Sequence, residues 1–305
     1  SVSAFLASLY NAAGLRAHVY NSPHLCRFNE RIRLAGNLIS DPELIAILKE
    51  VDTVNNGAPI TFFESTTIAA FLAFSRHPAD ILILETGLGG KFDSTNIIKD
   101  TAISVLTPIA HDHEHFLGTD ITKIASQKAG IMRPGKPTIW ARQSLKARQG
   151  LVTEAEKLGS EIFEDGVDFS AHLNDNGRFD FIWQGEKVKM PAPSLKGAHQ
   201  IQNASLALAA MKVATPDAFA PAAFNGISQA KWPGRIQELQ TGKLKNLLGS
   251  GHPLWLDGAH NAHGAVALIK TLKSLSQQKW IVIFGALNTR PPEAFFAQLK
   301  SVAIS

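Results

Sequence analysis

The chain has 305 residues, of which 45% are hydrophobic and 18% are charged, a balance typical of a globular protein with one large domain or two smaller ones. Its formal net charge is +4, but the basic residues are scattered and never form a dense run, which argues against a nucleic-acid-binding surface. No apolar run is long enough to cross a bilayer, and the single cysteine, Cys26, excludes an internal disulfide and favours a reducing, cytoplasmic location.

The first half of the chain predicts helices that alternate with strands. The predicted elements are a helix from Val2 to Ala13, a strand at 17–20, a helix with Asp41 as N-cap and Pro42 at its first position, a helix opened by a capping box of Thr61 and Glu64 and ended before Pro78, and strands at 79–84, 102–106 and 137–140. The strands at 79–84 and 102–106 are apolar on both faces, as in a parallel sheet. This alternation indicates an α/β fold with a parallel sheet flanked by helices.

Polar residues follow the strands of this predicted sheet. Ser22 comes just after the first strand, Glu85 follows the strand at 79–84, and His113 follows the strand at 102–106. Because ligands of such sheets bind beyond the carboxyl ends of the strands, we expect these three segments to converge on one crevice.

The second half continues with an antiparallel hairpin and then a new strand–helix–strand unit. Its predicted elements are a hairpin over 178–190 that turns at Gln184 and Gly185, a helix over 200–213, a strand at 253–256, a helix over 265–275 and a strand at 280–284. The pattern restarts near Trp232, so we predict a larger domain over 1–230 and a smaller one over 231–305.

Glu85 meets a glycine-rich turn that runs to Gly90. A carboxylate at a strand end can hold a divalent cation, and glycines let the backbone approach an anionic ligand. A plain tight turn is the alternative, and the residues alone leave both open. The turn is not a Walker A loop, because that motif occurs nowhere in the chain.

The run from His111 to His115 carries three alternating imidazoles, and with its carboxylates it suits zinc or manganese better than magnesium. An exposed polar loop is the alternative, and a metal-dependent hydrolase is a competing function at this point.

Lys128, on the next predicted helix, is either a surface lysine or a chemically altered one, because an ammonium group beside a dication is repelled. In the smaller domain, the loop from Asp257 to Asn261 favours polar ligand recognition, with a simple turn as the alternative.

Together these segments resemble the folylpolyglutamate synthase family of the Mur ligase superfamily. The matching strings, in family order, are Ser22-Pro23-His24-Leu25, Phe28-Asn29-Glu30-Arg31-Ile32, Phe63-Glu64 with Thr67, Leu84-Glu85-Thr86-Gly87-Leu88-Gly89-Gly90 with Asp93, Thr95 and Asn96, Asp112-His113 with Leu117-Gly118, Lys128-Ala129-Gly130-Ile131, His199-Gln200 with Asn203-Ala204, Trp232-Pro233-Gly234-Arg235, and Asp257-Gly258-Ala259-His260-Asn261. They cover nearly the whole chain, and the ordered set is far more specific than any one string.

The resemblance implies a P-loop-type, mostly parallel α/β domain, followed by a smaller Rossmann-like α/β domain. It implies an ATP- and magnesium-dependent ligase, a cytoplasmic monomer, that adds L-glutamate to folate and also converts dihydropteroate to dihydrofolate. In the implied chemistry, ATP phosphorylates the substrate carboxylate, and the glutamate amine then attacks the acyl phosphate.

The resemblance also implies roles for individual residues. The implied magnesium ligands are Ser22, Glu85 and His113; the implied ATP contacts are Ser1, Asn203, Arg235 and Asp257; and the implied folate contacts are Phe63, Glu64, Phe92 and Asp93. Lys128 matches a lysine that is carbamylated in the family, a change that turns a cation into an anionic oxygen ligand. His260 matches a catalytic position near the incoming glutamate.

Some positions depart from the family pattern. Gln127 stands where glutamate is usual, and the stretch 286–292 lacks the usual Lys-Asp pair. Ser1 is similar to the last hydroxyl residue of the family's phosphate loop. We therefore expect this chain to lack that loop, to be a fragment at both ends, and to bind ATP poorly as it stands.

Two other functions compete with this interpretation. A Mur-type ligase of peptidoglycan precursors would use the same chemistry, but the strings at 22–25 and 28–32 favour the folate enzymes. A non-catalytic, nucleotide-binding relative is the other alternative, and the intact set of Glu85, His113 and Lys128 argues against it.

Overall fold

The computed structural model describes residues 1–111, 114–249, 251–285, 293–300 and 302, and only the backbone of residues 114, 115, 262, 263 and 294. The helices are α1 (Val2–Ala12), α2 (Asp41–Asn55), α3 (Phe62–Arg76), α4 (Glu114–Leu117), α5 (Ile121–Ala129), α6 (Leu145–Leu158), α7 (Ala198–Ala214), α8 (Pro221–Phe224), α9 (Gly226–Gln229), α10 (Lys243–Leu248), α11 (Ala262–Leu275) and α12 (Glu293–Leu299). The strands are β1 (Ala17–Tyr20), β2 (Ile32–Leu34), β3 (Asn37–Leu38), β4 (Ile81–Leu84), β5 (Ser104–Leu106), β6 (Thr138–Trp140), β7 (Ile162–Glu164), β8 (Phe169–Leu173), β9 (Phe179–Trp183), β10 (Glu186–Met190), β11 (Gln237–Leu239) and β12 (Leu254–Leu256).

Parallel strand pairs form the framework of the larger part of the molecule. In one sheet, of order β3-β2-β1-β4, β1 and β4 run parallel with Tyr20 opposite Leu84. In a second sheet, β5, β6 and β7 are parallel throughout. Strands β4 and β5 both border a cleft of about 640 Å³. The predicted α/β class is therefore confirmed.

One face of each of these two sheets is covered by helices through a separate apolar cluster. On the first sheet, Leu44 and Ile47 of α2 and Ala70 of α3 are buried with Tyr20 and Ile32. On the second sheet, α5 and α6 bury their apolar faces against β5 and β6 in the same way. The first cluster includes Tyr20 and Leu84, the last residues of β1 and β4, and so fixes the carboxyl ends of these two strands.

Helix α7 is the central helix of the largest apolar cluster. Its residues from Ala204 to Met211 are all buried, and it packs against α1 and the antiparallel sheet of β8, β9 and β10. The predicted hairpin is confirmed, with Gln184 and Gly185 both at positive φ in the turn between β9 and β10.

Helix starts follow the local sequence, with one correction. The Thr61 hydroxyl accepts the N–H of Glu64 and the Glu64 carboxylate accepts the N–H of Thr61, which confirms the predicted capping box of α3. The N-cap of α2 is Ser40 rather than Asp41, because the Ser40 hydroxyl accepts the N–H of Glu43. Asp41 therefore lies in the first helical turn, where its negative charge interacts favourably with the positive end of the helix dipole.

The C-terminal part of the chain contains the antiparallel pair of β11 and β12 beside α11 and α12. The predicted strand at 280–284 is wrong: residues 281–285 have no regular structure, and the N–H of Trp280 donates to the carbonyl of Val302 at 2.9 Å. Its alternating apolar residues have no sheet partner within the described residues, and Ile281 and Ile283 are exposed. Across the described residues, the helices are too short or too polar to traverse a bilayer.

Candidate active site

The pairing of β1 with β4 brings Ser22 and Glu85 together at one edge of the sheet. The N–H of Glu85 donates to the carbonyl of Tyr20 at 2.9 Å, which extends the parallel pairing one residue past the strands. The backbone N–H of Ser22 in turn donates to the Glu85 carboxylate. The expected convergence of these two segments is therefore seen.

Glu85 carries a carboxylate oxygen that lacks a partner. Its Oε2 atom is buried and accepts no hydrogen bond from the described residues. Burial raises the pKa of this carboxyl group, and the positive charge of Arg235 offsets part of that effect. Burying a carboxylate oxygen without a hydrogen-bond donor costs free energy unless the oxygen binds a cation or a proton. Glu85 is therefore suited to be an oxygen ligand of magnesium.

The glycine-rich turn after Glu85 docks on the end of α5. The N–H of Lys91 donates to the carbonyl of Gln127 at 2.9 Å. A Cβ atom on Gly90 would lie 2.7 Å from that carbonyl oxygen and 2.8 Å from the Lys128 oxygen, so only glycine allows this approach. The contact brings Lys128 to the same cleft as Glu85 and Ser1, all of which line it.

A second cavity, of about 700 Å³, contains the four positions implied for folate. Phe63, Glu64, Phe92 and Asp93 all line it, together with Ser22. The ring of Phe63 packs on the backbone of Gly87, where an added Cβ atom would clash with it. The cavity therefore extends from the edge of the sheet at Ser22 to the aromatic residues at the start of α3.

The carboxylates of this cavity are already bound to backbone groups. Asp93 Oδ2 accepts the N–H groups of Gly87 and Leu88 at 3.0 and 2.8 Å, and its Oδ1 accepts the N–H and hydroxyl of Thr95. Glu64 is held by Thr61, whose hydrogen bonds lower the pKa of the Glu64 carboxyl group. Both residues shape the cavity wall through the turns that they stabilise.

Sequence reasoning missed Arg31 and Phe62, which line this cavity as well. Arg31 entered only as part of a matching string. The available signal was a charged residue at the end of the polar Phe28–Arg31 turn, directly before the apolar strand β2, because a charge beside a buried strand needs a partner.

Only some of the positions implied for ATP and glutamate lie near Glu85 and the two cavities. The charge of Arg235 acts on Glu85. Both oxygens of Asp257 accept backbone N–H groups, from Ile236 and Ala259 at 2.8 Å, so this carboxylate joins the loop after β12 to the segment before β11.

Asn203 and His260 lie outside the described lining of both cavities. Asn203 donates to the side chain of Gln200 at 3.0 Å. His260 is exposed, and its Nδ1–H donates to the carbonyl of Gly258 at 2.8 Å, which leaves Nε2 as an acceptor.

The third implied magnesium ligand, His113, lies outside the described residues, as does Asp112. Among the residues with described side chains, no group of three or more His, Cys, Asp and Glu is arranged to hold a metal ion. Ser22 and Glu85 are thus the part of the implied metal site whose geometry is seen.

Known proteins resemble this chain along nearly its whole length, although no family model matches it. The dihydrofolate synthase/folylpolyglutamate synthase of Bacillus subtilis (strain 168) is 34% identical over 321 residues, which cover 99% of this chain and 72% of that protein.

Solved structures of such enzymes superpose on the chain. The structure of Escherichia coli FolC in complex with DHPP and ADP matches with a TM-score of 0.89 and 30% identity, covering 99% of this chain and 70% of that one. A bifunctional folylpolyglutamate synthase/dihydrofolate synthase with Mn, AMPPNP and L-glutamate bound matches with a TM-score of 0.85, 30% identity and the same coverage. This chain is therefore a member of the folylpolyglutamate synthase/dihydrofolate synthase family.

Proposed function

We propose that this protein is an ATP-dependent ligase that forms an amide bond between the amino group of L-glutamate and the carboxyl group of a folate-type acid. The observation that carries the proposal is the position of Glu85. Its unpartnered Oε2 atom lies beside Ser22, at the point where the folate-sized cavity meets the edge of the parallel sheet. The two solved neighbours were determined with a nucleotide, and with DHPP in one and L-glutamate in the other.

The acceptor acid would occupy the cavity of about 700 Å³. The rings of Phe63 and Phe92 offer apolar faces to a flat heterocycle, and the backbone around Asp93 offers polar groups to its edges. In this orientation the carboxyl group of the acceptor points toward Ser22 and Glu85. Both dihydropteroate and tetrahydrofolate fit this description.

The reaction proceeds through an acyl phosphate. A carboxylate oxygen of the acceptor attacks the γ-phosphorus of ATP and releases ADP; the amine of glutamate then attacks the acyl carbon, and inorganic phosphate leaves. Glu85 and the Ser22 hydroxyl would hold a magnesium ion, with His113 as the third ligand. When bound, this ion neutralises phosphoryl charge and orients the transfer.

Further roles follow from the same proposal. Lys128 is carbamylated, so that it presents an anionic oxygen to the cleft that it shares with Glu85. Ser1, Asn203, Arg235 and Asp257 contact ATP, and His260 contacts glutamate. Arg235 has the clearest support, because its charge already acts at Glu85.

We also propose that the enzyme works as a monomer in the cytoplasm and binds no nucleic acid.

Phosphate release by the full-length protein tests the proposed function. With ATP and magnesium, we expect release to require both L-glutamate and a folate acid, and dihydropteroate and tetrahydrofolate should be compared side by side. Release without glutamate would instead show a hydrolase. Release only with a nucleotide-linked peptidoglycan precursor would show a Mur-type ligase, and no release with any acid would show a binding protein.

A further inference from the structure

Arg31 is a buried cation in the wall of the folate-sized cavity. Only 8% of the residue is exposed, and its guanidinium group lies 5.5 Å from the ring centres of both Phe28 and Phe62. The two rings meet edge to face, 5.9 Å apart. Contacts with two aromatic rings fix the orientation of a planar guanidinium group, which otherwise has many rotamers.

One nitrogen of this group holds it in place, and the others remain available. The Nε–H of Arg31 donates to His24 Nδ1 at 2.9 Å. Within the described residues, the terminal nitrogens donate no hydrogen bond to protein, and they are not sealed from solvent. The side chain therefore presents unused donors where it lines the cavity.

The described cavity wall offers Arg31 no partner of opposite charge. Asp93 is engaged by backbone N–H groups and Glu64 by its capping box, and neither forms an ion pair with Arg31. The edge formed by the two terminal nitrogens of Arg31 is free, and its paired N–H groups match the two oxygens of a carboxylate. The missing partner is thus expected to be an anionic group of the ligand.

We propose that Arg31 binds the α-carboxylate of acceptors that already carry a glutamate, and so distinguishes glutamyl folates from dihydropteroate. The inference rests on the proposed function. The N–H of Asn21 donates to the carbonyl of Arg31 at 3.0 Å, which places Arg31 beside Ser22, where the reacting carboxyl group is proposed to lie. On a glutamyl acceptor the α-carboxylate is joined to the reacting γ-carboxyl group by a short chain, whereas dihydropteroate has one carboxyl group only.

Equilibrium binding to the full-length protein tests this assignment, by calorimetry in the presence of ADP and magnesium. The probes are tetrahydrofolate, its α-carboxamide and dihydropteroate. We expect the unaltered protein to bind tetrahydrofolate about 10- to 100-fold more tightly than the α-carboxamide, as for other hydrogen bonds to charged groups. Arg31→Gln should remove this difference and leave the dihydropteroate affinity within about twofold, and Arg31→Lys should retain part of it.

Arg27→Gln is the matched control. Arg27 belongs to the same segment but is exposed, and it pairs with Asp41 at the surface, so its loss should leave all three affinities unchanged. Equal binding of tetrahydrofolate and its α-carboxamide by the unaltered protein overturns the assignment even if Arg31→Gln does not fold. Equal weakening of all three ligands by Arg31→Gln also overturns it, and in both cases the proposed function stands. No binding of any of the three ligands would overturn both.

Discussion

Glu85 is the residue on which the proposed chemistry depends most. We expect Glu85→Gln to lower magnesium-dependent turnover by about 100-fold or more, because a metal ion stabilises the transition state by several kcal/mol. The variant should remain folded. Burial raises the pKa of Glu85, so the charged form is less favourable in the folded state, and a neutral amide should leave the melting temperature at neutral pH equal or higher.

Turnover against magnesium concentration, together with thermal unfolding, measures both effects. Unchanged turnover would remove Glu85 from the metal site. A large drop in melting temperature would instead mean that the charged carboxylate supports the fold.

Lys128 tests the carbamate hypothesis. We expect Lys128→Ala to be slow, by about 100-fold, because it removes an anionic oxygen from the cleft that Glu85 shares. Short-chain carboxylates added to the assay should restore part of the activity, since they can supply that oxygen. The absence of rescue across a range of acids would contradict a carbamylated lysine.

His260 tests the glutamate site. Its Nδ1–H is bound to Gly258, so Nε2 can accept a hydrogen bond from the ammonium group of glutamate. We expect His260→Ala to raise the KM for glutamate about tenfold, as for the loss of one hydrogen bond to a charged group. The KM for ATP should change much less, and equal changes in the two constants would exclude His260 from the glutamate site.

Residues differ in how far the sequence alone could place them. Ser22 and Glu85 each follow an apolar strand, and parallel pairing then brings them together, so their meeting could be predicted. The position of Arg31 depends on ring contacts with Phe28 and with Phe62, which begins a helix far along the chain, and no local pattern encodes such a contact. Likewise, nothing local shows that both oxygens of Asp257 are bound to backbone groups.

Among the elements, the glycine-rich turn and the end of α5 form one unit. A methyl group at Gly90 would meet two backbone carbonyl oxygens under 3 Å away, and backbone atoms cannot rotate aside as a side chain can. We expect Gly90→Ala to destabilise the protein by about 1–3 kcal/mol, as overpacked sites do, and to reduce turnover by shifting Lys128 relative to Glu85.

Gly251→Ala is the control for this substitution, because a Cβ atom at Gly251 meets nothing within 4 Å. Chemical denaturation of both variants measures the difference. Equal stability of the two proteins would show that the turn is not held against α5.

Helix and strand boundaries show why some elements were predictable. The capping box of α3 is a purely local signal, and the helix begins where that signal lies. For α2, Ser40 and Asp41 are both good N-cap residues. In the structure Ser40 has the extended backbone of an N-cap, and the helix begins at Asp41. A strand also needs a neighbour, so the alternating apolar residues at 281–283 could not establish one by themselves.

At the scale of the whole molecule, the order of the strands determines where the candidate active site lies, at the carboxyl ends of β1 and β4. The parallel pairing of β1 with β4 and of β5 with β6 follows from buried apolar strands separated by helices, and the sequence predicted these four strands. Strand β7 was not predicted, and the strands divide between two sheets where one was expected. The division into domains at residue 231 stays a prediction. The shape of the acceptor cavity depends on how α3, the glycine-rich turn and the Phe28–Arg31 segment pack together, and only the three-dimensional structure shows it.

The central claim is that ATP activates the acceptor by transferring its γ-phosphoryl group to the carboxyl group. Turnover with an acceptor labelled with ¹⁸O in that carboxyl group tests it most directly, with the released phosphate analysed by mass spectrometry. Because the attacking carboxylate oxygen leaves with phosphorus, the account predicts one labelled oxygen in each phosphate molecule formed. Phosphate without the label, released while the amide product accumulates, would contradict it.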